Sequence, residues 1–280
     1  MVGAFQVKLT PASDLGAAST SVVGRIYDGP TPLTTLWELP QKDGDCTLTT
    51  PRVPFCSTPC GGSAACVEND TCLAYPTSHS AGKVTVTGLE TANGSTPLEL
   101  ALVSNTYQAP PSVPLAYPPF AEGAAVTLTA AGEYFPAFSL NAKGIAPLEL
   151  GTGELALKSG QPLTVTWTKG AVSSANIHVK LDISHHGGSK GQIECDTADS
   201  GSLSIGATLI SKLLNLGVAG FPTVIVTRHV IGSTVIPAGR VELEISSTVE
   251  QGVTIDGLTS CANPSDCPDG KTCQPDLTCK

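Results

Sequence analysis

Residues 176–195 read NIHVKLDISHHGGSKGQIEC, and the fold class turns on how this stretch is folded. It holds a formal G-x-S-x-G, Gly187-Gly188-Ser189-Lys190-Gly191, behind two histidines. A serine nucleophile on such a motif needs a strand, a sharp turn and then a helix, so that the hydroxyl stands above a parallel sheet. A strand does precede it. The next residues, QIEC, form another short run of β-type side chains, and the small residues between suit a hairpin loop. The stretch therefore predicts two antiparallel strands, and the alternation of strands and helices of an α/β hydrolase is missing from the rest of the chain.

Side chains alternate across a strand. Ile177, Val179, Leu181 and Ile183 then form an apolar face, and His178, Lys180, Asp182 and Ser184 face solvent. Working outward, the same period of two recurs at 4–10, 21–27, 83–89, 98–104, 124–132, 147–157, 162–170, 221–230, 240–248 and 253–258, with Gly, Pro or Asn in many of the gaps. This is the pattern of an antiparallel sandwich. One stretch differs. SIGATLISKLLNLG puts Ile205, Leu209, Ile210, Leu213 and Leu214 on one stripe, which predicts a helix over about 204–216, capped by Ser204 and ended by Gly217. The expected fold is all-β: one or two antiparallel sandwiches, one short helix and two small disulfide-stapled cysteine modules.

A chain of 280 residues suits one large all-β domain or two ordinary ones. The proline-rich QAPPSVPLAYPPF at 108–120 cannot be a central strand. It sets the expected division: an N-terminal β-region at 1–115 with a cysteine module at 46–76, a sandwich at 116–258, and a cysteine-rich tail at 259–280. Charged residues are only 14% and the net charge is −9. With no lysine or arginine cluster, nucleic-acid binding is excluded as an expectation. No apolar run is long enough to span a membrane as a helix.

Ten cysteines point to an oxidising compartment. MVGAFQVKLT reads as a strand and not as a leader, so a leader or lipid-anchor segment is expected in the natural precursor and is absent from this sequence. The tail is a C-x5-C-x5-C-x5-C array at Cys261, Cys267, Cys273 and Cys279. Cys56, Cys60, Cys66 and Cys72 form a similar C-x3-C-x5-C-x5-C. Both are rich in Pro, Gly, Asn and Asp and have little to bury, so covalent staples must hold them. Four cysteines allow three pairings. First-to-third and second-to-fourth is favoured in each module, giving Cys56–Cys66, Cys60–Cys72, Cys261–Cys273 and Cys267–Cys279. Cys46 and Cys195 are left to pair with each other. Zinc is the rival, but structural zinc knuckles use C-x2-C, and neither module has one.

PFCSTPCGGSAACVENDTCLAYP, FAEGAAVTLTAAG with PAFS, LTVTW, IECDTADSGS before the helix, and the CPDGKTC tail together give the chain a resemblance. It resembles secreted or lipid-anchored cysteine-rich β-sandwich proteins of myxobacteria and related bacteria, over most of its length. The resemblance implies a cell-envelope or extracellular location and brings no catalytic residues with it.

Several constellations could carry chemistry. Imidazole and carboxylate suit zinc or copper, so Asp182, His185, His186 and His229 are candidate metal ligands. Against this, adjacent histidines usually point different ways, and nothing in the sequence brings His229 near. Calcium takes loop carboxylates, and Glu194, Asp196 and Asp199 lie close together, but off the usual spacing; Asp199 also suits a turn before the helix. Glu133, Glu149 and Glu154 offer acids without singling out the pair that glycoside hydrolysis needs. Trp37 is the aromatic best placed for an exposed contact; Tyr107 and Tyr117 flank the prolines and are candidates for a partner-binding edge, although packing is the preferred reading for them, and Trp167 reads as core. The expected role is a non-enzymatic extracellular or cell-surface protein with a structural, adhesive or partner-binding function. Its partner would be a protein or an envelope or matrix component, or a second copy added at a strand edge, and no cofactor is expected. The alternatives are a secreted metal-dependent or hydrolytic enzyme near His185 and His186, and a glycan-binding module built on Trp37.

Overall fold

The structure is a computed structural model that describes every residue except 14, 15, 93, 95, 96, 152, 189 and 269. Ser189 therefore lies outside the described residues, as does its nucleophile reading. The strands in chain order are β1 (Gly3–Thr10), β2 (Ser19–Ile26), β3 (Leu36–Asp43), β4 (Cys46–Arg52), β5 (Ala64–Glu68), β6 (Thr71–Ala74), β7 (Val84–Thr87), β8 (Leu98–Glu99), β9 (Ala101–Val103) and β10 (Thr106–Gln108). They continue as β11 (Ala125–Ala130), β12 (Phe138–Lys143), β13 (Leu155–Leu157), β14 (Leu163–Thr166), β15 (Asn176–Asp182), β16 (Gln192–Ala198), β17 (Ser202–Ile205), β18 (Thr223–Ile236) and β19 (Gly239–Ile255). The helix α1 spans Ala207–Leu214.

The opening stretch is a hairpin. β15 and β16 are antiparallel, with Asp182 opposite Gln192 at the end of the pairing. Its apolar face is buried as the alternation requires: Ile177, Val179, Leu181 and Ile183 are all inaccessible to solvent.

An 11-stranded sheet runs in the order β3-β4-β16-β15-β18-β19-β1-β2-β10-β9, with β13 also on β19. It is mixed, because β1 and β13 both pair with β19 in parallel. The long β18–β19 hairpin organises the molecule. Its strands have 14 and 17 residues and turn at Pro237-Ala238, with Ile236 opposite Gly239. The sequence divided this region into runs at 240–248 and 253–258, but β19 continues through 249–252.

One face of this hairpin serves two cores in succession. Val230, Ile236, Val241, Leu243 and Ile245 pack with β1, β2 and the four-stranded sheet β12-β11-β7-β8. Val224, Val226 and Val253 pack instead with β4, β15, β16, the β14–β17 pair and the buried stripe of α1. Each fully buried Val, Leu or Ile contributes about 1.5–3 kcal/mol, so two extended cores stabilise one sheet. Strand pairing crosses residue 115: β1 and β2 share a core with β11 and β12, and β4 pairs with β16. Where β12 passes over β18, a side chain at Gly232 would strike the Asn141 carbonyl oxygen at 1.9 Å, so the two layers touch there only because the residue is glycine.

Local details depart from expectation for physical reasons. The helix cap is Gly206, without a side-chain bond, because Ser202–Ile205 is drawn into β17 against β14. Of 147–157 only Leu155–Leu157 is a strand. The strand β12 was not expected from the sequence.

Five disulfides form: Cys46–Cys195, Cys56–Cys66, Cys60–Cys72, Cys261–Cys273 and Cys267–Cys279. These are the pairs that spacing favours, and no cysteine is free. Cys46 and Cys195 face each other across β4 and β16. Among the described residues no helix is long and apolar enough to cross a membrane.

Candidate functional site

The loop after β15 is pinned at several points. Asp182 Oδ1 accepts hydrogen bonds from the Ser184 amide (2.9 Å) and hydroxyl (3.1 Å). The Ile183 and His185 carbonyls accept from the amides of Ala219 (3.1 Å) and Phe221 (2.8 Å). Between those two amides sits Gly220, at φ +58°, where a Cβ would lie 2.0 Å from the His185 oxygen. His186 has φ +64°, a left-handed conformation uncommon for any residue but glycine. The reversal brings the rings of His185 and His186 to 4.0 Å between centroids. The expectation that neighbouring histidines diverge fails because of that one backbone angle.

His185 Nε2 is 3.5 Å from Glu250 Oε1 on β19. The two histidines and Glu250 line an open cleft of about 720 Å³, which Thr10, Pro11, Ala12 and Ser13 at the end of β1 also line. The remaining expected ligands lie elsewhere. Asp182 lines a different, small pocket with Trp37. His229 is opposite Asn176, whereas Asp182 is opposite Thr223, six residues along the same pair of strands. At about 3.3 Å per residue, this is roughly 20 Å away.

His229 belongs to a second polar cluster on the outer face. His178 Nδ1 is 2.8 Å from Asp196 Oδ1, and its Nε2 is 3.9 Å from Glu194 Oε1. His229, Asn176, Asp196 and Asp45 border an open depression of about 440 Å³. Burial pulls the His229 imidazole below its ordinary pKa and His178 adds to this, while Glu244 and Asp196 oppose it. The candidate calcium carboxylates separate, with Glu194 and Asp196 outward and Asp199 buried.

Asp199 enters the group that sequence reasoning missed. Val224, Val226, Arg228 and Val230 share one face of β18, so an arginine points between the two cores. Arg228 is 1% exposed. Its Nε donates to Asp199 Oδ2 (2.8 Å), Nη1 to the carbonyls of Ala146 (3.1 Å) and Pro147 (3.2 Å), and Nη2 to that of Thr168. Asp199 also accepts from Trp167 Nε1 (2.7 Å) and the Gly170 amide (3.1 Å). Ser247, opposite Arg228 on β19, accepts from the Leu148 amide at 2.9 Å. This network ties three loops to the sheet and leaves no donor open for chemistry. The parity of Arg228 in VIVTRHV was the available signal.

The expected aromatic contacts also divide. Tyr107 is 1% exposed, and its hydroxyl accepts from the Ala81 amide (2.8 Å) and donates to the Gly82 carbonyl (2.8 Å), so it is a core residue. Tyr117 packs against the same core, and burial, with Glu149 nearby, raises its phenol pKa. Trp37 is 41% exposed. It borders a pocket of about 60 Å³ with Lys180, Asp182, Ser184, Gly191 and Gln192. Thr49 Oγ1, opposite Gln192, is the one buried side-chain polar atom without a partner among the described residues.

The β3–β6 segment, which includes the N-terminal cysteine module, exposes many apolar side chains. Leu33, Trp37, Leu39, Val53, Phe55, Leu73 and Tyr75 are half of the large exposed hydrophobics among the described residues, and all lie on the β3–β6 segment or just before or after it. The module itself is held by two disulfides and by local bonds, such as the Ser57 amide to Asp70 Oδ1 at 2.9 Å and the Phe55 amide to Asn69 Oδ1 at 3.2 Å.

No protein-family model matches the sequence, and no curated protein matches it. Fold and surface define a class: an all-β protein braced by five disulfides, with exposed apolar side chains on β3 and on the flanks of its N-terminal cysteine module.

Proposed function

We propose that the chain is an extracellular or cell-surface binding protein whose partner is a protein or matrix component of the cell envelope. The observation that carries this reading is the concentration of exposed apolar side chains on residues 33–75. Large exposed apolar patches on folded proteins mark interaction sites. Two disulfides staple residues 56–72, and β3 and β4 are held by pairing in the large sheet, with Cys46 and Leu48 in its core, so the exposed apolar side chains of the segment stay free for a partner. Five disulfides fit an oxidising compartment, and the resemblance to secreted or lipid-anchored myxobacterial proteins points the same way. In this reading the sandwiches are a rigid stand and the role is not catalytic.

The test is co-sedimentation of the purified protein with bacterial envelope fractions. The wild type is expected to bind, and the Phe55→Ser, Tyr75→Ser double variant to lose at least tenfold in affinity with an unchanged melting temperature, because both side chains are exposed. Equal binding by the variant, or no binding by the wild type, would contradict the reading.

A second reading, saccharide binding, has its own observation. Trp37 lines a small pocket with Lys180, Asp182, Ser184 and Gln192, groups that suit sugar hydroxyls. Titration with soluble envelope saccharides, repeated on Trp37→Ala, distinguishes it. Binding lost with Trp37 alone supports this reading, and none by the wild type removes it.

A further inference from the structure

The geometry points to a binding site for one late first-row divalent transition metal, of the zinc class, formed by His185, His186 and Glu250 in the cleft at the end of β1. A hydrogen bond from an imidazole nitrogen to a carboxylate spans about 2.7–2.9 Å when charge-assisted. The 3.5 Å between His185 Nε2 and Glu250 Oε1 is too long for that. It matches the ligand–ligand edge of a tetrahedral site, about 3.4 Å for metal–nitrogen and metal–oxygen bonds near 2.1 Å.

The third donor is supplied by an unusual backbone. The left-handed His186 turns its ring to the same side as that of His185. Such a conformation costs about 1–3 kcal/mol and persists only where the surroundings impose it. Here they do, because the amides of Ala219 and Phe221 clamp the carbonyls of Ile183 and His185. Among the described residues, the only trios of His, Cys, Asp or Glu donors already within 4.8 Å of one another are cysteines held in disulfides. His185, His186 and Glu250 do not meet that distance as they stand, so metal binding at this site requires the His186 side chain to rotate toward the other two. The cleft of about 720 Å³ leaves the fourth position open to solvent or a ligand. Two imidazoles and one carboxylate select zinc, copper or nickel over calcium or magnesium. Glu250 is the one acid in the described lining.

The experiment is calorimetric titration of ZnCl2 into tag-free protein, after a thiol assay has shown every cysteine oxidised, so that no thiolate competes. The expected result is one zinc per chain at micromolar or tighter affinity. His185→Ala and His186→Asn should each weaken it at least tenfold, and Glu250→Gln should weaken it too. Asparagine tolerates the left-handed backbone, so His186→Asn tests the imidazole and not the turn. His178→Ala, which alters the outer-face cluster, should bind as the wild type does. Absence of zinc uptake at millimolar metal, or uptake unchanged in His185→Ala and His186→Asn, would overturn the site. Loss of uptake in His178→Ala alone would move it to the outer face and equally overturn it.

Discussion

Arg228 and Asp199 show how a single pair of residues can join two cores. A buried charge is tolerated only when it is paired and hydrogen-bonded, and here every side-chain nitrogen of the arginine has an acceptor. Removing one partner strands the other. Arg228→Met should cost about 3–5 kcal/mol, read from urea unfolding. The Arg228→Met, Asp199→Asn double variant should cost less than the sum of the single changes, since the two residues share one network. Additive losses would show that the pair is not coupled. In the tail, Asp276 accepts hydrogen bonds from Lys280 and from the Thr278 hydroxyl, which lower its pKa from 3.8 to about 2. A depressed carboxylate stabilises the fold fully above its ordinary pKa, and the contribution is lost as the pH falls through the folded value. Amide exchange at Thr278, whose N–H donates to Asp276 Oδ1, should therefore quicken, beyond its intrinsic pH dependence, as the pH is lowered from about 4 to 2. A tail insensitive to pH in that window would contradict the assignment.

At the scale of elements, the Cys46–Cys195 bond joins β4 to β16 over a sequence separation of 149. Loop-closure entropy for such a span amounts to about 5 kcal/mol. The Cys46→Ala, Cys195→Ala variant should lose several kcal/mol in urea unfolding. A loss below about 1 kcal/mol would mean that strand pairing alone holds the β3–β4 hairpin. The elements also show where sequence legibility ends. Alternation in NIHVKLDIS exposes the β15–β16 hairpin and its buried face, because period two is a local property. The cysteine pairing was legible because the modules are short and repeat one another. The parallel docking of β1 on β19 was not, since register between distant strands depends on packing that no local pattern encodes. At the candidate site, His185 and His186 were legible as residue types, but their convergence depends on one left-handed backbone angle. Glu250 was hidden at a strand position far downstream. Of the two tyrosines flanking the prolines, for which packing was the preferred reading, Tyr107 is buried and Tyr117 is half-buried against the same core.

Taken whole, the molecule is one sheet covered by two packed layers side by side, with the β18–β19 hairpin common to both. Neither core can be lost without releasing strands from the other. Scanning calorimetry should give a single transition, with calorimetric and van't Hoff enthalpies equal, and two resolved transitions would show that the halves are independent. The sheet edges are blunted: β3 carries a bulge between Glu38 and Gln41, and β9 has only three residues. Short or bulged edges resist added strands, which favours the stapled module as the surface that meets a partner. The most direct test of that assignment is hydrogen exchange read by mass spectrometry, with and without solubilised envelope fragments. Protection confined to residues 33–75 is the expected result. Protection on the outer sheet face, or at the His185–His186 cleft with none in the module, would contradict it.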